Sequence, residues 1–139
     1  MRMASKTESS RMAEERFRRL ELPDEVAGAL YLHRMPGRNE RIEDTWAAIE
    51  AGGIACIVCL TSEAEIAKKS PSYARAVKDG TVPCERIEFP IKDRCVPRDE
   101  TELMALARRI VAKLRSGDGV LMHCAAGVGR TGMVARCVL

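Results

Sequence analysis

The chain has 139 residues, of which 46% are hydrophobic and 31% charged, and its formal net charge is +3. This length and apolar content predict one domain with a single core. The small net charge excludes the dense basic surface of a nucleic-acid binder, and no apolar stretch approaches the length of a membrane-spanning helix. Because the N-terminus also lacks the apolar core of a signal peptide, we expect a cytoplasmic protein, taken to be a monomer, that binds neither nucleic acid nor membrane.

Six cysteines are spread through the chain rather than grouped into a disulfide framework. In a chain without an export signal, dispersed cysteines are expected to be reduced thiols. Cys56 and Cys59 form a Cys-x-x-Cys pattern, but they lie in one apolar run that predicts a strand, where residues three apart point to opposite faces. We therefore predict no metal site and no cofactor.

The first twenty residues alternate charges with single apolar side chains. They predict a polar N-terminal segment, with residues 10–20 either a short amphipathic helix or a tail, ahead of one domain over residues 21–139. "GALYLH" then predicts a strand, and Pro36 with Gly37 predicts the loop after it because both residue types interrupt regular structure. The next segment, which ends at Gly52, has apolar side chains at helical spacing on one face and predicts a helix.

The apolar run "IACIVCL" is typical of a strand that is buried on both faces of a parallel sheet. Two short helices, "SEAEIAKKS" and "PSYARAVKDG", and a strand, "ERIEF", are predicted next. Residues 99–115 have the strongest helical pattern, with Asp99 and Glu102 spaced as a capping pair. "GVLMH" predicts a last buried strand, and the residues after Arg130 predict a helix.

The order of these elements predicts the fold class. Strands that alternate with helices require crossover connections, so the fold is expected to be α/β, with a mostly parallel central sheet of four to five strands and helices on both faces. In such sheets ligands bind at the carboxyl ends of the strands. The stretch "VLMHCAAGVGRTG", residues 120–132, lies at one of these ends.

Three interpretations of this stretch compete, because small residues separate the thiol of Cys124 from the guanidinium of Arg130. Gly127, Gly129 and Gly132 match a dinucleotide-binding pattern, but the acidic residue expected about 20 positions later is missing. A nucleotide P-loop requires a lysine where Arg130 stands. A cysteine nucleophile beneath a bound phosphate uses every residue of the stretch, and we favour this interpretation.

In this interpretation, the backbone N–H groups of the 124–130 loop form a concave anion site, and only small residues let a phosphate approach the backbone closely. The same donors stabilise a thiolate at Cys124 and lower its pKa. Arg130 supplies a planar, bidentate fork, Thr131 a hydroxyl for the Cys124 sulfur, and His123 hydrogen bonds that order the loop. We predict a Cys-x5-Arg phosphate loop between the last parallel strand and the following helix, lined by Ala125, Ala126, Gly127, Val128, Gly129 and Arg130.

"HCAAGVGRTG" resembles the signature of cysteine-dependent protein tyrosine phosphatases. "FPIKDRCVP" resembles the general-acid loop of their dual-specificity branch, and "LYLHRMPGR" with "GGIACIVCLTSEAE" resembles early segments of kinase-associated and small bacterial dual-specificity phosphatases. The resemblance runs from about residue 29 to the C-terminus, and the chain is expected to lack the helices with which the family's domain usually ends. It implies Cys124 as nucleophile, Arg130 as phosphate-binding arginine and Asp93 as general acid.

The resemblance implies a phosphoprotein phosphatase that hydrolyses phosphotyrosine through a cysteinyl-phosphate intermediate, with phosphoserine and phosphothreonine as further candidate substrates. The leaving oxygen requires a proton, which Asp93 is expected to donate; the rival acids Asp99 and Glu100 are expected to begin the following helix. Two alternatives stay open. One is a phosphate- or phosphopeptide-binding module without turnover, and the other is a phosphatase of a small phosphorylated metabolite.

Two pairings also stay open at this stage. Glu63 and Glu65 follow a strand end at the edge that carries the 124–130 loop, so one of them could pair with Arg130, or both could simply begin the next helix. Cys95 and Cys59 are candidate partners of Cys124 in a protective disulfide, and the alternative is that both are ordinary thiols.

Overall fold

A five-stranded sheet forms the centre of the computed structural model, which describes residues 16–92, 99–126 and 129–139. Its strand order is β1-β2-β5-β3-β4. The strands β2, β5, β3 and β4 are parallel, and β1 pairs antiparallel with β2 at one edge. This confirms the predicted α/β class and its mostly parallel sheet; the strands are β1 (Arg18–Leu20), β2 (Ala29–His33), β3 (Ile54–Cys59), β4 (Glu85–Glu88) and β5 (Gly119–His123).

Helices connect the parallel strands, as crossover connections require. Within the described ranges they are α1 (Ile42–Ala51), α2 (Glu63–Lys69), α3 (Pro71–Asp79), α4 (Glu100–Arg115) and α5 (Gly129–Val138). Their starts follow local capping rules. The Asp99 carboxylate accepts hydrogen bonds from the N–H groups of Thr101 and Glu102 at the start of α4, and the Ser62 hydroxyl oxygen accepts one from the N–H of Glu65 in α2.

Successive strand side chains point to opposite faces of the sheet, and helices cover both. One face packs against α4 and α5 in a single buried cluster that includes Leu30, Leu32, Val58, Val120, Met122, Ile110, Leu114 and Val134. The other face packs against α1, α2 and α3 in two clusters that include Tyr31, Ile57, Leu121, Ile49, Cys59, Ile66 and Tyr73. The prediction of helices on both faces is therefore confirmed. None of the helices in the described residues is long and apolar enough to cross a membrane.

The structure describes residues 16–20 of the segment that the sequence left as either a short amphipathic helix or a tail, and Arg16 is helical. Residues Arg18–Leu20 are strand β1 and pair with residues 30–32 of β2. Phe17 is buried and its ring contacts the rings of Tyr31 and His33. Pairing with β2 and the burial of Phe17 explain why the chain is a strand after this point. The earlier residues of the segment lie outside the described ranges.

Close backbone approach at Gly28 fixes the start of β2 against the end of α4. The N–H of Gly28 donates to the Leu114 carbonyl at 2.8 Å. A Cβ at this position would lie 2.6 Å from the same carbonyl oxygen and closer still to the carbonyl oxygen of Asp118. Only glycine lets the chain pass here without moving backbone atoms.

We expect Gly28→Ala to lower the free energy of unfolding by about 3 kcal/mol, because the new methyl group meets backbone atoms that cannot turn away. The matched control is Gly80→Ala at the end of α3, where φ is +70° and nothing lies within 4 Å of the new Cβ. That change should cost only about 1 kcal/mol for the left-handed backbone. Denaturant unfolding of both variants measures the difference, and equal losses would contradict the packing at Gly28.

Candidate active site

Three predicted site residues lie buried at the carboxyl end of β5 and the start of α5. Cys124 directly follows β5, and Arg130 and Thr131 are in the first turn of α5. Their exposed fractions are 2%, 4% and 0%. Between them, Ala125 is buried and Ala126 is exposed, whereas Gly127 and Val128 lie outside the described residues. The predicted ring of backbone amides is therefore still a prediction. Cys124 at the end of β5, and Arg130 and Thr131 at the start of α5, lie on the predicted strand–loop–helix segment.

Arg130 is held by an ion pair with Glu65. The sequence left open whether Glu63, Glu65 or neither would pair with this arginine. Nη1 and Nη2 donate to the two carboxylate oxygens at 2.8 Å each, and Nη1 also donates to the Ile91 carbonyl at 2.9 Å. Lys69 donates to the same carboxylate at 2.9 Å. The structure thus selects Glu65 as the partner of Arg130, and Glu63 is an exposed residue in the first turn of α2.

The electrostatics of this pair favour the charged forms of both groups. The hydrogen bonds from Arg130, and after them those from Lys69, lower the pKa of Glu65 from 4.5 to about 2 despite the opposing effect of burial. The Arg130 side chain is 3% exposed and that of Glu65 is 17% exposed. Because the Arg130 guanidinium is buried, its positive charge must be compensated by the Glu65 carboxylate. The two parallel N–H···O bonds also fix the plane of the guanidinium.

His123, the last residue of β5, is fully buried and hydrogen-bonded at both ring nitrogens. Nε2 lies 2.8 Å from the hydroxyl oxygen of Tyr73 in α3, and Nδ1 lies 3.3 Å from the carbonyl oxygen of Cys124. The contact between Nδ1 and the Cys124 carbonyl supports the prediction that His123 orders the loop through hydrogen bonds. Tyr73 was not predicted as a site residue. Its only signal in the sequence was an aromatic side chain in a short helix, with nothing to connect it to a histidine far along the chain.

The Thr131 hydroxyl is buried without a hydrogen-bond partner among the described residues. Buried hydroxyl groups are normally paired, so an orphan of this kind requires an explanation. A role toward the Cys124 sulfur or a bound anion would provide one. That role remains a prediction.

The loop that follows β2, residues 34–41, reaches the same edge of the sheet. The N–H of Met35 donates to the Ala125 carbonyl at 3.2 Å. Glu40 braces this loop: its carboxylate accepts from the Thr45 hydroxyl at 2.5 Å and from the N–H of Gly37 at 3.3 Å. Burial acts to raise the pKa of Glu40, but these hydrogen bonds and that from His33 lower it overall. This support of the 124–130 loop was not predicted.

Some of the remaining predicted residues lie outside the described ranges, and the structure describes the others. Asp93 and Cys95 lie outside the described residues, so the general acid and one disulfide candidate stay predictions. Asp99 caps α4, as expected of a rival acid committed to a helix start. Cys59 and Cys124 belong to buried clusters on opposite faces of the sheet. Across the described ranges, no group of three or more His, Cys, Asp or Glu side chains could hold a metal ion.

Comparisons with known proteins agree with this arrangement. The profile of one protein family, described as "Tc-R-P: Polymorphic toxin system, DSP-PTPase phosphatase", matches residues 27–139. No curated protein sequence matches the chain. The described family confirms the resemblance to dual-specificity phosphatases that the sequence indicated.

Solved structures share the fold. A kinase-associated phosphatase with its catalytic-site cysteine replaced by serine is 20% identical, with a TM-score of 0.67 over 79% of this chain and 64% of that chain. Tk-PTP in its active form is 23% identical, with a TM-score of 0.59 over 81% of this chain and 70% of that one. P. aeruginosa TpbA in complex with pTyr is 19% identical, with a TM-score of 0.52 over 84% of this chain and 64% of that chain. The chain thus spans about 64% of the length of the kinase-associated phosphatase.

We expect Glu65→Gln to remove a pH-dependent part of the stability. Because the pKa of Glu65 is about 2 in the folded protein against a usual 4.5, its stabilisation is complete above the usual pKa and is lost as the pH falls toward 2. Near neutral pH the variant should lose about 2–3 kcal/mol of unfolding free energy. Denaturant unfolding near neutral pH and at about pH 3 measures both effects.

Glu63→Gln is the matched control, because it removes an exposed carboxylate from the same turn of α2. It should keep the stability of the wild type at both pH values. Similar behaviour of the two variants would contradict the Arg130–Glu65 pair as a stabilising contact.

Proposed function

Because the chain belongs to the family of DSP-PTPase phosphatases of polymorphic toxin systems, we propose that it hydrolyses phosphotyrosine in proteins through a cysteinyl-phosphate intermediate. Phosphoserine and phosphothreonine are further substrates in this proposal. The observation that carries it is the buried Arg130, fixed by Glu65 and the Ile91 carbonyl, at the start of the helix that follows Cys124. The TpbA structure holds phosphotyrosine on a similar fold.

The proposed first step is attack by the Cys124 thiolate on phosphorus. The S–P bond forms as the bond from phosphorus to the substrate oxygen breaks, and Asp93 donates its proton to that leaving oxygen. Arg130 and the amides of the 124–130 loop stabilise the charge on the transferring phosphoryl oxygens. Two charge-assisted bonds to Glu65 keep the arginine in position, so little reorganisation is needed when phosphate binds.

The proposed second step regenerates the enzyme. Water attacks phosphorus, and the Asp93 carboxylate, now deprotonated, takes the proton of that water. The S–P bond breaks, the thiolate of Cys124 leaves, and inorganic phosphate is released. The Thr131 hydroxyl stabilises the thiolate as leaving group, and His123 keeps the backbone at Cys124 in place. No metal takes part in either step.

The cellular setting is part of the proposal. The family's description names polymorphic toxin systems, and we propose that this chain supplies the phosphatase activity of such a system, as a monomer acting in the cytoplasm. The dispersed positions of the six cysteines, which form no disulfide framework in the sequence, support a reducing compartment. A panel of phosphopeptides and small phosphate esters tests the substrate class. Preference for a small ester would favour the metabolite alternative.

We expect Cys124→Ser to lower the turnover of para-nitrophenyl phosphate about a thousandfold or more, because the serine hydroxyl is a far poorer nucleophile than a thiolate. Wild-type turnover should persist in EDTA and be inhibited by vanadate. Cys137→Ser in α5 is the matched control and should keep wild-type turnover. A wild type that binds phosphate without turnover would favour the non-catalytic alternative.

We expect Asp93→Asn to slow the release of poor leaving groups more than that of good ones. An amide cannot donate the proton, so kcat for a phosphotyrosine peptide should fall about a hundredfold or more, and kcat for para-nitrophenyl phosphate much less. Asp99→Asn is the control, because asparagine still caps α4. Equal losses for both substrates would assign the general acid to another residue.

A further inference from the structure

The turn that follows β2 brings an arginine to the edge of the candidate active site. In this turn the N–H of Arg38 donates to the Met35 carbonyl at 3.2 Å. Pro36 and Gly37 occupy the two central positions, and the φ of Gly37 is +76°, as a type II turn requires. A turn of this kind keeps the backbone of its fourth residue, Arg38, within about 7 Å of that of its first.

The same turn is joined directly to the segment that carries the candidate nucleophile. The N–H of Met35 donates to the Ala125 carbonyl at 3.2 Å, and Ala126, the next residue, is exposed. Met35 therefore binds Ala125 through its N–H and Arg38 through its carbonyl. Because β2 lies on one side of β5 and β3 on the other, Arg38 lies on the β2 side of Cys124.

Contacts with the start of α3 and with Glu40 hold the turn in place. The Ser70 hydroxyl, just before α3, donates to the Pro36 carbonyl at 2.7 Å. A Cβ on Gly37 would lie 2.6 Å from the hydroxyl oxygen of Ser72, so the turn packs closely against this helix. The Glu40 carboxylate also accepts a hydrogen bond from the N–H of Gly37 at 3.3 Å. A turn that is already ordered loses less conformational entropy when a ligand binds to it.

Arg38 is the arginine of this loop that its neighbours leave available. The loop that follows β2 contains three arginines and one glutamate. Nε of Arg34 lies 3.6 Å from Oε1 of Glu40, and Nε of Arg41 lies 3.7 Å from Oε2 of Glu43. Arg38 is exposed and has no ion pair with any residue that the structure describes. A guanidinium of this kind stays charged and binds a carboxylate through two parallel N–H···O bonds.

We propose that Arg38 is a specificity-determining residue, which binds an aspartate or glutamate side chain on one flank of the phosphotyrosine in a protein substrate. The inference rests on the proposed function, because it concerns the substrate whose phosphate Cys124 and Arg130 would receive. It adds the sequence context of that phosphotyrosine, with the acidic residue on the flank that meets the β2 side of the site. The preference is local, since a net charge of +3 is too small to attract acidic peptides from every side.

Three phosphotyrosine peptides test this contact. One has neutral residues on both flanks, one has acidic residues only before the phosphotyrosine, and one has them only after it. For the wild type, we expect kcat/KM for one of the two acidic peptides to exceed that for the neutral peptide about threefold to tenfold, as one charge-assisted pair near the surface would give. Equal preference for both acidic peptides, or preference for neither, would overturn the proposal.

Arg38→Gln identifies the residue responsible. It removes the charge but keeps the N–H that closes the turn, and denaturant unfolding checks that the variant is folded. The ratio of kcat/KM for the preferred acidic peptide to that for the neutral peptide should fall to about one.

Arg41→Gln is the matched control, because it removes the same charge from the same loop at a side chain that faces Glu43. It should keep the wild-type ratio. A ratio that is unchanged in Arg38→Gln, or lowered equally in the two variants, would overturn the role of Arg38.

The two proposals fail separately. If the wild type turns over none of the peptides, the proposed phosphatase is contradicted, and the affinities of the same three peptides, measured by fluorescence anisotropy, then test Arg38. A one-sided preference in binding that Arg38→Gln removes would support the contact without turnover. Normal turnover without any preference would contradict only the role of Arg38.

Discussion

A buried guanidinium requires a fixed carboxylate, and the pair of Arg130 with Glu65 is the contact on which the candidate site depends. It joins the first turn of α5 to α2, and the further bond to the Ile91 carbonyl joins both to the chain after β4. Because the guanidinium is almost fully desolvated, losing its partner would leave an uncompensated charge in the protein. The orientation of Arg130 is thus determined by three segments that are far apart in sequence.

The parallel sheet explains why these segments meet. The carboxyl ends of β2, β5, β3 and β4 lie at one edge, so the residues after each strand converge there. Each contributes one constraint around Cys124: the loop after β2 through Met35, the helix after β3 through Glu65, and the chain after β4 through Ile91. Helix α3 adds the contact with His123. The chemistry proposed for the Cys124 thiol therefore depends on contacts that several segments make at the carboxyl edge of the sheet.

Local patterns were enough to predict most of the fold, whereas the roles of the central site residues are still predictions. The helix after Asp99 and the buried strands β3 and β5 follow from apolar spacing and capping within a few residues. β1 was missed because a three-residue strand is specified by its pairing with β2. Glu63 and Glu65 are equivalent in sequence, and only the crossing of α2 over the sheet edge selects Glu65. Tyr73 likewise depends on packing against a distant strand. Asp93 remains a prediction from resemblance.

The central claim is that Cys124 is the nucleophile beneath the phosphate held by Arg130. The most direct measurement is mass spectrometry of the enzyme quenched in acid during turnover of a phosphotyrosine peptide, since a thiophosphate ester formed in the first step can be trapped. The account predicts one added phosphoryl group, located on the peptide that contains Cys124. A phosphoryl group on another residue, or turnover without any phosphorylated enzyme, would contradict it.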